Sequence, residues 1–172
     1  MVKYSDMEQK FRYEVRNETE QSVKDLNIDR KNFHEAPKNE WESIIKRFYY
    51  TFIDYNNYPN IHLNYLWLHF RDDLTYTNHI RYGFHSGDWI EDWIEFVGHI
   101  DDIIPKEGRP AEYYYINNSG WVYEGKLPEV MKIIGDSSGM VEDFYILPKR
   151  EKFDWVVCYC GDGDCMGIYL RG

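Results

Sequence analysis

Four groups of residues have side chains suited to binding or catalysis. The first is acidic: Asp88, Glu91, Glu95 and Asp102 recur at i, i+3, i+7 and i+14, with Asp92 and Asp101 beside them. On a helix this spacing gathers carboxylates on one face, where each like-charged pair opposes folding by about 0.2–0.5 kcal/mol. A face that tolerates such repulsion can attract a basic partner at long range. Asp88, Glu91, Asp92 and Glu95 are the residues that would meet that partner. The same acids would equally suit a solvated helix face whose first turn complements the helix dipole.

The second group is Cys158, Cys160 and Cys165 in CYCGDGDC. Three thiolates can contribute to a zinc site, but structural zinc sites use paired Cys-x2-4-Cys spacing, and no histidine lies near in sequence. On a strand, Cys158 and Cys160 share a face, and the Asp162-Gly163 turn would bring Cys165 near Cys160. A Cys160–Cys165 disulfide is sterically conceivable, whereas three cysteines without a secretory signal favour reduced, buried thiols. The third group, His62, His69, His79 and His85, lacks both His-x3-His and His-Glu-x2-His. The fourth, Asp154, Asp162 and Asp164, lacks the ligand series and bidentate Glu of a calcium loop, and turn formation accounts for it. Gly-x4-Gly-Lys-Ser/Thr and Gly-x-Gly-x2-Gly are both missing from the sequence. No nucleotide or dinucleotide-cofactor chemistry is therefore indicated.

Composition narrows the partners. The 172 residues include 20 Lys plus Arg against 30 Asp plus Glu, a formal net charge of -10. Residues 1–60 carry 10 basic and 11 acidic side chains, so nearly all of the excess negative charge falls in residues 61–172. Phosphate contacts need a basic surface, so nucleic-acid binding is disfavoured. Charges interrupt every apolar run before the roughly 20 residues of a membrane span. No secretory signal is visible, and a cytoplasmic location is expected. Aromatic residues make up 18% of the chain, enough to disfavour disorder and to build one core. A single domain over residues 1–172 is expected, since no repeat or Gly/Ser linker divides it.

The elements that position these residues follow from hydrophobic periodicity. Tyr4, Met7, Phe11, Val15, Val23 and Leu26 predict an amphipathic helix over 4–26, its stripe thinning at Thr19 and Ser22. Trp41, Ile44, Ile45, Phe48, Tyr49, Phe52 and Ile53 predict a second, with Asn39 and Glu42 as a capping box and Pro59 beyond its end. Ile61 to Phe70 reads as a strand, with a helix over 61–73 as the competing reading. A turn at Arg71-Asp72-Asp73 would return the chain through a strand from Thr75 to Phe84. Asp88 is the expected N-cap of a third helix reaching Ile104, with Trp89, Trp93, Phe96, Val97, Ile100 and Ile104 as its core face. Glu112 to Asn117 and Trp121 to Tyr123 read as strands around a tight turn. Pro128 opens a short helix, Leu127 to Ile134, ended by Gly135. Strands are expected at Asp143–Leu147, Phe153–Cys160 and Cys165–Leu170, the last two joined through Asp162-Gly163. Helices early and antiparallel strands late imply an α+β, two-layer domain with N-terminal helices packed on a mainly antiparallel sheet.

The stretches GWVYEGKLPEVMKII and EDFYILPKREKFDWVVCYCGDGDC resemble an uncharacterised family of small acidic bacterial proteins, found chiefly in Bacillus-type organisms. The resemblance covers roughly residues 85–172 and implies no catalytic residues. Proteins of this size and charge are often immunity proteins that neutralise a toxin of the same strain. The reading that follows is a non-enzymatic, protein-binding module with a basic protein partner, without metal or cofactor. The alternative is a metal-dependent or thiol-containing hydrolase with its site near the C-terminal hairpin, where Cys158, Cys160 and Cys165 are the candidate ligands. The oligomeric state is open on the sequence.

Overall fold

The computed structural model describes residues 6–59, 66–117, 120–137, 143–160 and 165–171, with side chains of the first helix described from Arg12 onward. The expected positions Tyr4, Ile61 to Tyr65, Asn118-Ser119 and Asp162-Gly163-Asp164 lie outside the described residues.

The helices are α1 (Asp6–Asp25), α2 (Lys38–Phe52), α3 (Trp89–Gly98), α4 (Ile100–Ile103) and α5 (Leu127–Asp136). The strands are β1 (Phe33–Glu35), β2 (Leu74–Arg81), β3 (Tyr113–Asn117), β4 (Val122–Gly125), β5 (Asp143–Pro148), β6 (Trp155–Cys160) and β7 (Cys165–Arg171). They form one seven-stranded sheet in the order β1-β4-β3-β5-β6-β7-β2. Each neighbouring pair is antiparallel. The fold is thus α+β, with helices packed on an antiparallel sheet.

Alternation along the central strands sorts the core into two clusters, because successive side chains of a strand point to opposite faces. Tyr145 and Leu147 of β5, and Val156 and Cys158 of β6, join Ile44, Ile45, Phe48 and Phe52 of α2. Phe144, Ile146, Val157 and Tyr159 join Trp93, Phe96 and Val97 of α3, Ile133 and Ile134 of α5, and Val23 of α1. Helices therefore cover both faces of the sheet, α2 on one and α3 with α5 on the other. β5 and β6 have both faces covered, which is why they read as nearly continuous apolar runs.

Local chemistry sets the ends of the elements. α1 stops at Asn27, whose φ of 52° is left-handed. Amide bonds from Asn27 to the Lys24 carbonyl and from Ile28 to Val23 close the C-terminus. Ile28 packs on the cluster that holds Val23, so this is a Schellman motif made with Asn. Thr19 and Ser22, where the apolar stripe thins, are nevertheless buried. Thr19 satisfies its hydroxyl on the Val15 carbonyl 3.0 Å away. At the far edge, Gly125 lets β1 approach closely: a Cβ there would stand 2.5 Å from the Asn32 carbonyl oxygen.

Several expectations are corrected. The strand expected through Phe70 is instead a 3-10 turn over Leu66–His69, and Phe70 makes an isolated bridge to Ile53. The short apolar run LWLHF fits either period, and packing of Phe70 against Phe48 and Phe52 decides it. β2 consequently pairs with β7 rather than with the segment before it. α2 starts at Lys38 behind Pro37 and has no side-chain cap, so the Asn39 capping box does not form. The third expected helix divides at His99 into α3 and α4. α5 runs past Gly135 to Asp136. β1 falls in the stretch read as polar, held by the fully buried Phe33 stacked on Tyr123 at 5.1 Å.

Candidate functional site

α3 carries the acidic run, and its four acids have different surroundings. Asp88 is the N-cap: its carboxylate accepts from the Ile90 amide at 2.9 Å and the Glu91 amide at 3.4 Å. Asp92 is only 1% exposed. It turns back beneath the segment before the helix and accepts the amides of His85 at 3.0 Å and Ser86 at 3.1 Å. Burial opposes its ionisation, but those hydrogen bonds and nearby His85 outweigh it and hold the carboxyl below its usual 3.8. Glu95 is exposed and lies 2.9 Å from His85 Nε2. Among the described residues, Glu91 alone of the four makes no side-chain hydrogen bond or ion pair. Only Glu91 and Glu95 offer carboxylates at the outer surface without capping backbone amides.

His85, Asp92 and Glu95 bring ligand-type atoms within 4.8 Å of one another, and they are the one such triad among the described residues. Their geometry suits a proton better than a metal ion. His85 Nδ1 is 3.0 Å from the Gly83 carbonyl and 3.5 Å from Asp92, while Nε2 faces Glu95. Acceptors on both sides favour an imidazolium donating twice, whereas a ligand nitrogen must offer its lone pair. The Gly83 carbonyl, then Asp92 and Glu95, raise this histidine above its ordinary 6.5. The triad therefore clasps residues 83–88 to α3.

The other sequence candidates are dispersed. His69 stacks on Tyr58 at 3.8 Å and His79 on Tyr76 at 5.5 Å, while His62 lies outside the described residues. Asp154 pairs with Arg150 at 2.5 Å. The three cysteines share the hairpin β6–β7 and none is in a disulfide. They do not form a metal-ready cluster with a His, Asp or Glu among the described residues.

The feature missed in the sequence is apolar. Trp89, expected in the core, is 52% exposed, and Ile90 and Ile94 are 49% and 57% exposed. Ile90 and Ile94, one turn apart, form a second stripe beside the core stripe of Trp93, Phe96 and Val97. That i, i+4 pair was the available signal. The stripe walls an open groove of about 1130 Å³ between α3 and α5, with Leu127 and Met131 opposite and Leu26 at its margin. Arg109 also lines it, bonded to Asp101 at 2.6 Å, and that hydrogen bond holds the Asp101 carboxyl below its usual range. Lys126, Lys132 and Asp136 border the α5 side; Glu91 and Glu95, each next in sequence to a groove isoleucine, lie on α3 outside the groove lining.

Residues 11–171 match a family of unknown function, DUF6756. The chain belongs to this family. The match spans the sheet, α2 to α5 and α1 from residue 11 onward, so the groove and the thiol hairpin are both within the family's extent. No curated protein and no solved structure matches this DUF6756 chain. Among its described residues, no helix is long and apolar enough to cross a membrane.

Proposed function

We propose that this DUF6756 protein is a cytoplasmic, non-enzymatic protein-binding module of the bacterial toxin-neutralising immunity type. The observation that carries the reading is the exposed row Trp89, Ile90 and Ile94 on an otherwise well-packed helix. Contiguous apolar surface rimmed by charge marks an interaction site, and Trp is a favoured interface anchor. The groove suits a protein segment better than a small ligand. Small-molecule sites typically enclose about 300–1,000 Å³ and bury most of the ligand, whereas Trp89, Ile90 and Ile94 leave the α3 wall about half exposed.

The occupant is an amphipathic helix from a basic protein. Its apolar ridge lies along Ile90 and Ile94, and its basic residues meet Glu91 and Glu95. The formal charge of -10 would steer such a partner toward the chain. The test reads the neighbouring genes for a toxin-like reading frame and titrates its purified product against this protein calorimetrically; the lack of such a frame would count against the immunity reading. Ile94→Asp weakens the complex at least tenfold. The double variant Glu91→Gln with Glu95→Gln weakens it less and flattens its salt dependence. Unchanged affinity in Ile94→Asp would remove the groove from the interaction. A self-associated mass in solution that Ile94→Asp reduces to one chain would instead assign the groove to a second copy.

A further inference from the structure

The C-terminal hairpin carries a feature that the groove does not use, on the opposite face of the sheet. Cys160 and Cys165 are directly opposed in the β6–β7 ladder, and Cys158 is opposed by Gly167. Cα atoms of opposed antiparallel residues lie about 4.5–5.5 Å apart. A disulfide requires about 4.4–6.8 Å, so the Cys160 and Cys165 backbones already stand at bonding separation. Diagonal neighbours lie about 7–8 Å apart, which leaves Cys158 and Cys165 too far apart to bridge without backbone movement.

The surroundings reinforce that selectivity. Cys158 is 4% exposed, and burial, followed by Asp143 and the two other thiols, pushes its thiol well above the ordinary range. Cys160 and Cys165 are only half-buried. The Tyr76 hydroxyl lies 3.4 Å from Cys165 Sγ. The Tyr76 ring covers Gly167, where a Cβ would collide with it. The ring thus roofs the inner part of the hairpin, while Cys160 and Cys165 both keep partial exposure.

We propose that Cys160 and Cys165 form a redox-modifiable dithiol that closes to a cross-strand disulfide by exchange with a low-molecular-weight disulfide of the glutathione class. One cysteine thiolate attacks a sulfur of the external disulfide. That S–S bond breaks, and the first small thiol leaves with the proton released by the attacking cysteine. The second cysteine thiolate then attacks the protein sulfur of the mixed disulfide and displaces the second small thiol, which takes the second proton. Two protein thiols are oxidised by two electrons, and one external disulfide is reduced to two thiols.

The test treats the full chain, folded in native buffer, with excess oxidised glutathione. Remaining thiols are alkylated, and the intact mass and proteolytic fragments are measured. Two of the three thiols disappear together, Cys160 and Cys165 are joined without retained glutathione, and dithiothreitol restores both. Cys160→Ser and Cys165→Ser each stop at a retained glutathione, while Cys158→Ser closes as the parent does. Glutathione retained on both outer cysteines, a bridge that includes Cys158, or no thiol loss would each overturn the proposal. Mapping the parent protein decides the matter even where a serine variant fails to fold.

Discussion

Asp92 shows how one buried carboxylate can organise a segment that has no regular structure. It accepts the His85 and Ser86 amides and faces the His85 ring, so its charge is satisfied within α3's own N-terminal approach. The two titrations have opposite signs. His85 is raised above 6.5 in the folded chain, so its contribution is complete below that value and is lost as pH rises through the raised one. Asp92 is lowered below 3.8, so its contribution is present above 3.8 and is lost as pH falls through the lowered value. The clasp is therefore tightest between those limits. An NMR titration of the imidazole places His85 above 6.5 in the parent protein, and Asp92→Asn moves it down toward that value. A His85 titration that Asp92→Asn leaves unchanged would show that Asp92 does not act on the ring.

At the scale of elements, α3 must be separated into what holds the helix and what it presents. Asp88 caps the first turn, so Asp88→Ala lowers stability by about 1 kcal/mol, whereas Asp88→Asn keeps the cap and changes stability little. Denaturant unfolding of the two variants checks this, and equal losses would mean that charge rather than capping matters. The cap was legible in the sequence because Asp88 precedes the apolar period of Trp93, Phe96 and Val97. The late strands were legible too, since Asp143 to Leu147 and Phe153 to Cys160 are bounded by turn and loop residues, although β6 begins only at Trp155. β1 was not, because three residues with one buried side chain, Phe33, carry no period. The 3-10 turn at Leu66–His69 was hidden for a related reason: a short apolar run fits a strand or a helix until Phe70 finds α2. The candidate site was half visible. The acids of α3 and the Ile90–Ile94 pair were evident, but Asp92 turns inward because the His85 and Ser86 amides fold back onto it, and Ile94 walls a groove only because α5 lies opposite.

Over the whole molecule, one sheet is shared by two cores. α2 buries Ile45 against one face and α5 buries Ile133 against the other, both at 0% exposure. β5 and β6 contribute alternate side chains to each side, so neither core persists once those central strands separate. Unfolding should accordingly be a single cooperative transition. Ile45→Val and Ile133→Val each remove one buried methylene and lower stability by about 0.5–1.5 kcal/mol. Each shifts the same denaturant midpoint whether the transition is followed by tryptophan fluorescence or by far-ultraviolet circular dichroism. With the sheet between them, the two substitutions do not touch, and their effects add to within about 0.3–0.5 kcal/mol in the double variant. If Ile45→Val moved only an early fraction of the transition, the α2 side would be an independently melting layer. A single shifted transition would establish that the sheet couples the groove-bearing helices to the rest of the chain.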